Sequence, residues 1–238
     1  GGWDVSSLDD GQTQSALKCM MMADEMHEFK HEAIHESVMY ALDALLKVQF
    51  ACGAFPQGWR GPSEVKPVNK ATYPTYDYRT EGREKQYPFM YTLNDDLPGY
   101  MVETLIQAHK NYKDEKYLNA IKKLGDFLIL SQMPDPQPAW CQQYNYEMVP
   151  IWARKFEPAA ITGGESQDAM ETLMKVYVYT GDKKYLEPLP KALEYMKSSL
   201  LPDGQLARYY EFKTNKPLYM NKNYQLTFED TDLPKHYG

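Results

Sequence analysis

The sequence predicts an all-α fold in which three helical hairpins place their long loops on one face. Two observations support this prediction: an apolar pattern typical of amphipathic helices occurs three times, and short and long connections alternate between its occurrences. The 238 residues are too few for two typical domains of about 150 residues. We therefore expect one domain that spans residues 1–238.

The second helix of each hairpin comes from a repeat that aligns without gaps and starts at Phe29, Tyr112 and Thr180. Its apolar residues follow the spacing that places one stripe on a helix, so each copy predicts a helix. Pro188 and Pro190 fall near the start of the third copy, where proline is best tolerated. The stripe consists of Ile34, Val38, Ala41 and Leu45 in the first copy, Tyr117, Ile121, Leu124 and Leu128 in the second, and Tyr185, Leu189, Ala192 and Met196 in the third.

Each copy follows another apolar-periodic stretch, which predicts the first helix of the hairpin. Three hairpins whose short turns share one end must place all their long loops at the other end. Long loops in a compact domain usually carry function, so we expect the functional residues at the long-loop end. The short turns lie near 28–32, 112–115 and 180–183, and the long connections span about 51–93, 133–163 and 201–238.

Composition excludes several classes of function. The chain has 26 Lys and Arg against 33 Asp and Glu, a net charge of −7 without a basic block, so we expect neither nucleic acid nor membrane as a partner. No apolar run reaches the roughly 20 residues of a transmembrane helix, and no signal-peptide pattern is visible. Cys19, Cys52 and Cys141 lack the spacing of a zinc site and are expected as free thiols.

Acidic residues gather where the first helix of each hairpin is predicted to begin. Helix capping is the favoured interpretation for Asp9 and Asp168. Asp95 and Asp96 form a surplus pair, because Asn94 can supply the cap, and carboxylate oxygens suit Ca²⁺. A calcium or polar-ligand site and a purely structural role stay equally open for this pair. The acidic residues are Asp9, Asp10, Asp95, Asp96, Glu165 and Asp168.

Two overlapping HExxH patterns, HEFKH and HEAIH, would ordinarily suggest a zinc-binding helix. The repeat places His31 at the position of Asp114 and Asp182, in a hairpin turn, so the pattern from His27 to His31 spans a bend. A zinc site is therefore not expected. No phosphate-binding glycine loop and no nucleophile elbow is present, so the sequence gives no support for phosphoryl transfer or triad chemistry.

The three long loops begin alike, with ACGAFPQGW, MPDPQPAWCQQY and LPDGQLARYY. Aromatic rings followed by amide or basic side chains can stack on sugar rings and bind hydroxyl groups. The same rings can also pack the loops onto the core, and the sequence leaves both interpretations open. The aromatic residues expected to bind substrate are Trp59, Trp140, Tyr144 and Tyr209.

Eight segments follow one another along the chain: GGW, SSLDDG, GAFPQGW, YTLNDD, AWCQQYN, ARKFEPAAITGGES, DGQLARYYEFKTNKPLYM and DLPKHYG. This ordered set resembles the family 10 polysaccharide lyases, the pectic acid lyases, over essentially the whole chain. The resemblance implies an (α/α)₃ toroid, in agreement with the three hairpins, and cleavage of polygalacturonate by β-elimination with Ca²⁺.

The resemblance also implies site residues. Asp95 and then Asp96 would bind calcium, with Asp95 also acting in catalysis, and Asn145 stands where the family has a second calcium-binding aspartate. An amide oxygen can bind Ca²⁺ but lacks the charge of a carboxylate.

The family's arginine base would correspond to Arg208, and Arg154 and Lys155 would bind uronate carboxylates. Since arginine normally stays protonated, binding of a substrate carboxylate is the alternative role for Arg208.

We expect a monomer that acts on pectate or another uronic-acid polysaccharide in the periplasm or outside the cell. One alternative is a glycoside hydrolase on an α/α toroid, with Asp95 or Asp96 paired with Glu165 as acid and base. The other alternative is a uronate-binding protein without catalytic activity, which Asn145 makes credible.

Overall fold

The computed structural model describes residues 4–80 and 83–233, and these ranges contain six α-helices in three hairpins. The three predicted hairpins are therefore confirmed. The GGW segment and the last five residues of DLPKHYG lie outside the described residues. The helices are α1 (Gln12–Met26), α2 (Glu32–Val48), α3 (Leu97–Tyr112), α4 (Glu115–Ser131), α5 (Gly163–Thr180) and α6 (Leu189–Ser198).

Helix α3 lies at the centre of the bundle and packs against α1, α4 and α5. The apolar stripes of the repeat face the core, where Val38, Ile121 and Ala192 are fully buried. This burial gives the amphipathic helices their stability, since propensity alone rarely holds a helix of this length in water. Within the described ranges, every helix is too short or too polar to cross a lipid bilayer.

The same residue position caps the second helical segment of each hairpin. The His31 imidazole accepts a hydrogen bond from the backbone at the start of α2, and the Asp114 and Asp182 carboxylates accept from Lys116 N at 2.9 Å and Lys184 N at 3.1 Å. HEFKH therefore spans the bend between α1 and α2, as predicted. The third copy differs because a 3-10 helix, Lys183–Leu186, precedes α6, which begins only after Pro188.

Short antiparallel strands, which the sequence did not predict, occur in the long connections. The strand before the first helix of each hairpin pairs with a strand that follows its second helix, so each hairpin is closed at the same end. The pairs are β1 (Ser6–Ser7) with β2 (Gly58–Trp59), β3 (Tyr91–Thr92) with β4 (Gln143–Tyr144), and β5 (Ile161–Thr162) with β6 (Tyr209–Tyr210), which continues into β7 (Pro217–Met220) and β8 (Leu226–Thr227).

These strands bring the long loops back to the starts of α1, α3 and α5. We call this end of the molecule, where these three helices begin, the N-terminal face. Its position agrees with the expected long-loop end of the hairpins.

Two aromatic residues expected at the substrate lie in the core. Trp140 and Tyr144 are fully buried, and each donates a hydrogen bond of 2.8 Å to a carbonyl near the end of α4. Tyr144 also accepts from Cys141 N at 2.7 Å, and Tyr210 repeats this arrangement at the end of α6, with Ala207 N at 2.7 Å. The prediction that Trp140 and Tyr144 bind substrate is wrong, because their rings fasten the loops to the helix ends.

Candidate functional site

The starts of α1, α3 and α5 are built alike. In each case a backbone N–H at or just before the start of the helix donates to a carbonyl in the returning loop, which places the residue bearing that carbonyl beside the helix start. Arg208 thus occupies in the third hairpin the position that glutamine occupies in the other two. The bonds are Leu8 N to Gln57 O at 2.7 Å, Leu93 N to Gln142 O at 2.8 Å and Gly163 N to Arg208 O at 3.1 Å.

Capping does not account for Asp9 and Asp168. The N-cap residues of α1, α3 and α5 are Gly11, Asp96 and Thr162, and Asp168 lies inside α5, so the capping interpretation of Asp9 and Asp168 is wrong.

Asp10 and Asp95 occupy matching places before α1 and α3, with φ angles of 51° and 54°. This left-handed conformation costs a non-glycine residue about 1–2 kcal/mol. Both carboxylates are therefore fixed on the N-terminal face by a backbone that the rest of the fold must hold.

Carboxylate oxygens of Asp9, Asp10 and Asp95 all lie within 4.8 Å of one another. Among the residues that the structure describes, no other group of three His, Cys, Asp or Glu side chains comes as close together. Two oxygens that bind one Ca²⁺ at about 2.4 Å can be at most about 4.8 Å apart, and hard carboxylate oxygens suit this ion. The three aspartates therefore fit a calcium ion, and we call them the acidic cluster.

Asp96 and Asn145 do not join Asp95 in this cluster. Asp96 packs against Gly99 in the first turn of α3, where a β-carbon would have no room. The Asn145 Oδ1 atom accepts from Glu147 N at 3.1 Å and from Val149 N at 2.9 Å. The predicted calcium site of Asp95, Asp96 and Asn145 is therefore wrong.

Strand register explains the error for Asn145. Tyr91 pairs with Tyr144 and Thr92 with Gln143, so Asn145 follows β4 at the Tyr91 end of β3. Asp95 lies beyond the opposite end of β3, after Thr92. The two residues thus lie at opposite ends of the strand pair.

Arg154 lies beside the acidic cluster, with Nη2 at 3.4 Å from Asp95 Oδ2. Its Nε donates to Glu157 Oε2 at 2.7 Å, and the Glu157 side chain is only 2% exposed. Burial alone would lower the pKa of Arg154, but the hydrogen bond to Glu157 and the charge of Asp95 raise it above its usual value. Arg154 is therefore a fixed cation at the edge of the cluster.

The acidic cluster is electrostatically crowded. Burial raises the pKa of Asp95 to about 6; Arg154 lowers it, and Asp9 and Asp10 raise it further. Burial is thus the main cause of the raised pKa of Asp95, and the neighbouring carboxylates add to it. A cation bound to the three carboxylates would favour the charged form of Asp95.

A chain of polar contacts extends from Asp95 toward β6. The Asn94 amide donates to Asp95, and the Gln142 amide donates to Asn94 Oδ1 at 2.9 Å and to Glu165 Oε1 at 2.7 Å. The Tyr209 hydroxyl lies 3.4 Å from Gln142 Oε1. Sequence reasoning missed Gln142, although its position in the loop repeat, equivalent to Gln57 and Arg208, could have identified it.

Arg208, at the surface, and Tyr209, in the core, are in contact next to this chain of polar contacts. The Arg208 side chain is exposed, and its Cζ lies 5.3 Å from the centre of the Tyr209 ring. Tyr209 is only 2% exposed and donates to Phe156 O at 2.8 Å. Tyr209 therefore supports Arg208 from below and does not offer a stacking surface for sugar, contrary to expectation.

Trp59 and Lys155 lie away from the acidic cluster, in separate cavities. Trp59 lines a cavity of about 420 Å³ together with Tyr40 and Arg60. Lys155 lines a larger cleft of about 1020 Å³, with its Nζ 5.2 Å from the centre of the Tyr224 ring.

Comparison with known proteins identifies structural relatives only. No protein-family model and no curated protein sequence matches the chain. A family 10 polysaccharide lyase from Cellvibrio cellulosa, an alanine variant in complex with trigalacturonic acid, is similar with a TM-score of 0.70 and 16% identity over 96% of this chain and 74% of that chain. Another structure of a family 10 polysaccharide lyase from the same organism has a TM-score of 0.66 and 16% identity, over 96% of this chain and 73% of that one.

A more distant relative is the cellobiose 2-epimerase from Spirochaeta thermophila, with a TM-score of 0.59 and 13% identity over 91% of this chain and 49% of the epimerase. The chain thus shares its fold with family 10 polysaccharide lyases, and the resemblance found in the sequence is confirmed at the level of the fold.

Proposed function

We propose that this chain cleaves a uronic-acid polysaccharide, with polygalacturonate as the first candidate, by calcium-assisted β-elimination at the N-terminal face. The observation that carries the proposal is the convergence of Asp9, Asp10 and Asp95 beside the fixed cation Arg154. The shared fold with a lyase that was solved in complex with trigalacturonic acid supports a uronic-acid ligand.

Such an elimination removes the C5 proton of a uronic acid and expels the glycosidic oxygen at C4. Negative charge builds on the C6 carboxylate as the proton leaves, so positive charge near that group lowers the barrier. Asp9, Asp10 and Asp95 would hold the calcium ion, which supplies such a charge when bound.

Arg154 and Glu157 orient the substrate in this scheme. Arg154 carries a planar guanidinium suited to a carboxylate, and Glu157 fixes it from the buried side at 2.7 Å. The polysaccharide carboxylate would therefore lie between the acidic cluster and Arg154, with its orientation set before the reaction begins.

Arg208 is our candidate for the group at the reacting carbon. It is exposed on the N-terminal face and rests on the buried ring of Tyr209, so it can approach a bound chain without losing its support. As a base it would accept the C5 proton, and as a carboxylate ligand it would stabilise the developing charge. Arg208→Lys separates these roles, because lysine keeps the charge but changes the acidity of the group, and therefore the pH dependence of kcat.

A glycoside hydrolase is the second candidate, and one observation favours it. The pKa of Asp95 is raised to about 6, chiefly by burial, as a general acid requires, and Glu165 is linked to the same polar chain through Gln142. Hydrolysis yields a saturated product, whereas elimination yields an unsaturated product that absorbs ultraviolet light.

The test is a cleavage assay on polygalacturonate with calcium and with a chelator. We expect an unsaturated product only with calcium, loss of activity in Asp95→Asn and Asp10→Asn, and normal activity in Asp126→Asn, whose residue forms a surface ion pair with Lys184. Reducing ends without unsaturation would establish the hydrolase instead. Binding without any cleavage would refute both enzyme assignments and leave a uronate-binding protein.

A further inference from the structure

The proposed reaction makes no use of the cleft of about 1020 Å³ that Lys155 lines. Its volume is at the upper end of the range for small-molecule sites, about 300–1,000 Å³. Three parts of the chain form it: residues 77–80 together with Arg83, the loop at 152–155, and the turn between β7 and β8 with β8 itself. Among its lining residues are Arg79, Arg83, Trp152, Lys155, Asn223 and Tyr224.

One loop connects this cleft to the acidic cluster. The Trp152 indole N–H donates to Arg154 O at 2.9 Å and to Lys155 O at 3.3 Å, so the ring fixes both backbone positions. Arg154 extends from this loop to Asp95, whereas Lys155 extends into the cleft. A polymer bound at the cluster can therefore continue into the cleft along a rigid loop.

Tyr87 gives a second connection. Burial raises the pKa of its hydroxyl, and the next contributions come from Arg154, Glu157, Asp9 and finally Arg83. Arg83, in the cleft, and Arg154, at the cluster, therefore both lie close enough to this phenol group to affect its pKa.

The cleft is electropositive. Its lining includes three cations, Arg79, Arg83 and Lys155, against the single carboxylate of Asp77. Arg79 is paired with Glu211 at 2.9 Å, and Asp77 accepts from the Thr80 hydroxyl. Arg83 and Lys155 are the two further cations in the lining, and each can face the carboxylate of a ligand.

Aromatic and amide groups complete the lining. Trp152 and Tyr224 supply rings on opposite segments, and Tyr224 is 39% exposed at the tip of the β7–β8 turn. Asn223 and Gln225 add amide groups next to it. Rings for sugar faces, amides for hydroxyl groups and cations for carboxylates are together the groups that recognise an acidic oligosaccharide.

We propose that this cleft is an accessory binding site for further uronate residues of the polysaccharide, so that affinity increases with the length of the chain. The proposal rests on the proposed function for its choice of polymer. In this site Arg83 and Lys155 bind carboxylates of the polysaccharide and Tyr224 packs against the face of a sugar, at a distance from the bond that is cleaved.

The test is calorimetric titration with galacturonate oligomers of about three and about nine residues, in chelator so that cleavage does not occur. The parent protein should bind the long oligomer at least about fivefold more tightly than the short one. Arg83→Gln and Tyr224→Ala, both at exposed residues, should each weaken binding of the long oligomer about three- to tenfold and leave the short one unchanged. Lys183→Gln, at an exposed residue of the 3-10 helix that precedes α6, is the charge-matched control and should bind like the parent.

Several results would overturn the proposal. These are equal affinity for the two oligomers, an undiminished length effect in both cleft variants, or equally tight binding of a neutral oligomer of maltose. The cleavage assay with calcium decides the proposed function separately. If the protein cleaves polygalacturonate but binds both oligomers equally well, only the proposed accessory site is refuted. If it binds the long oligomer more tightly but cleaves nothing, only the proposed lyase activity is refuted.

Discussion

The pair formed by Arg154 and Glu157 gives the sharpest single prediction. Glu157→Gln keeps the size of the side chain and removes the charge that faces Arg154 Nε at 2.7 Å and Arg154 N at 3.1 Å. Breaking a fully buried ion pair costs about 3–5 kcal/mol. The cost should be smaller here, because the Arg154 side chain is 29% exposed, its contact with Asp95 at 3.4 Å remains, and glutamine still accepts one hydrogen bond. We therefore expect a loss of about 2–3 kcal/mol in the free energy of unfolding.

The assay is urea unfolding followed by circular dichroism, with Glu147→Gln as the matched control at an exposed position. The control should stay within about 0.5 kcal/mol of the parent. If Glu157→Gln also stayed within that range, the pair would contribute no more than a surface contact, and the argument that Glu157 fixes Arg154 would be refuted. Activity on polygalacturonate should fall by about tenfold in kcat in the same variant, since Arg154 loses its anchor.

Three further predictions follow from other parts of the structure. Tyr144→Phe removes two buried hydrogen bonds, one donated to Ser131 O at 2.8 Å and one accepted from Cys141 N at 2.7 Å. Thermal unfolding should therefore show a loss of about 1–3 kcal/mol in the free energy of unfolding, while KM stays unchanged. A raised KM would show that Tyr144 binds substrate after all. Burial, followed by the charges of Asp96 and Glu165, raises the pKa of Asp168 from 3.8 to about 6 in the folded protein. The protonated carboxyl of Asp168 therefore favours the folded state below about pH 4, and this contribution to stability is lost as the pH rises through about 6. Asp168→Asn should therefore raise Tm relative to the parent at about pH 8 but not at about pH 4, and an equal shift at both would contradict this reasoning. Calcium at about 100 times its Kd should stabilise the parent by about 2.7 kcal/mol in a thermal scan, and Asp95→Asn should abolish the shift.

Helices were predictable because their information is local. The apolar stripe repeats with the helical period, and the caps at His31, Asp114 and Asp182 stand at the same position of the repeat. The strands were not predictable, since most are two residues long and show no alternation to detect. The start of α6 was misplaced because the stripe continues across Pro188, where the backbone changes from a 3-10 to an α-helix.

The candidate site was predicted only in part. Asp95 and Arg154 were identified, but Asp9 and Asp10 are distant in sequence from Asp95, and only the packing of α1 on α3 brings them together. Asn145 was misassigned because a single strand pair separates it from Asp95 in space.

The aromatic residues were misassigned because core packing and sugar binding use the same side chains. The spacing of Cys141 to Tyr144, repeated in Ala207 to Tyr210, was the available signal of a structural role, since both tyrosines accept a hydrogen bond from the amide three residues earlier.

In each hairpin the strand before the first helix pairs with the strand after the second helix. This pairing places one residue of the returning loop beside the start of the first helix. Gln57, Gln142 and Arg208 occupy that position, and in each case the backbone carbonyl accepts the hydrogen bond from the helix start, so this bond does not depend on the identity of the side chain. A molecule built in triplicate can thus alter the reactivity of one copy and keep the other two as its frame. Diversification in such an architecture requires only a change of side chain, with no redesign of the main chain.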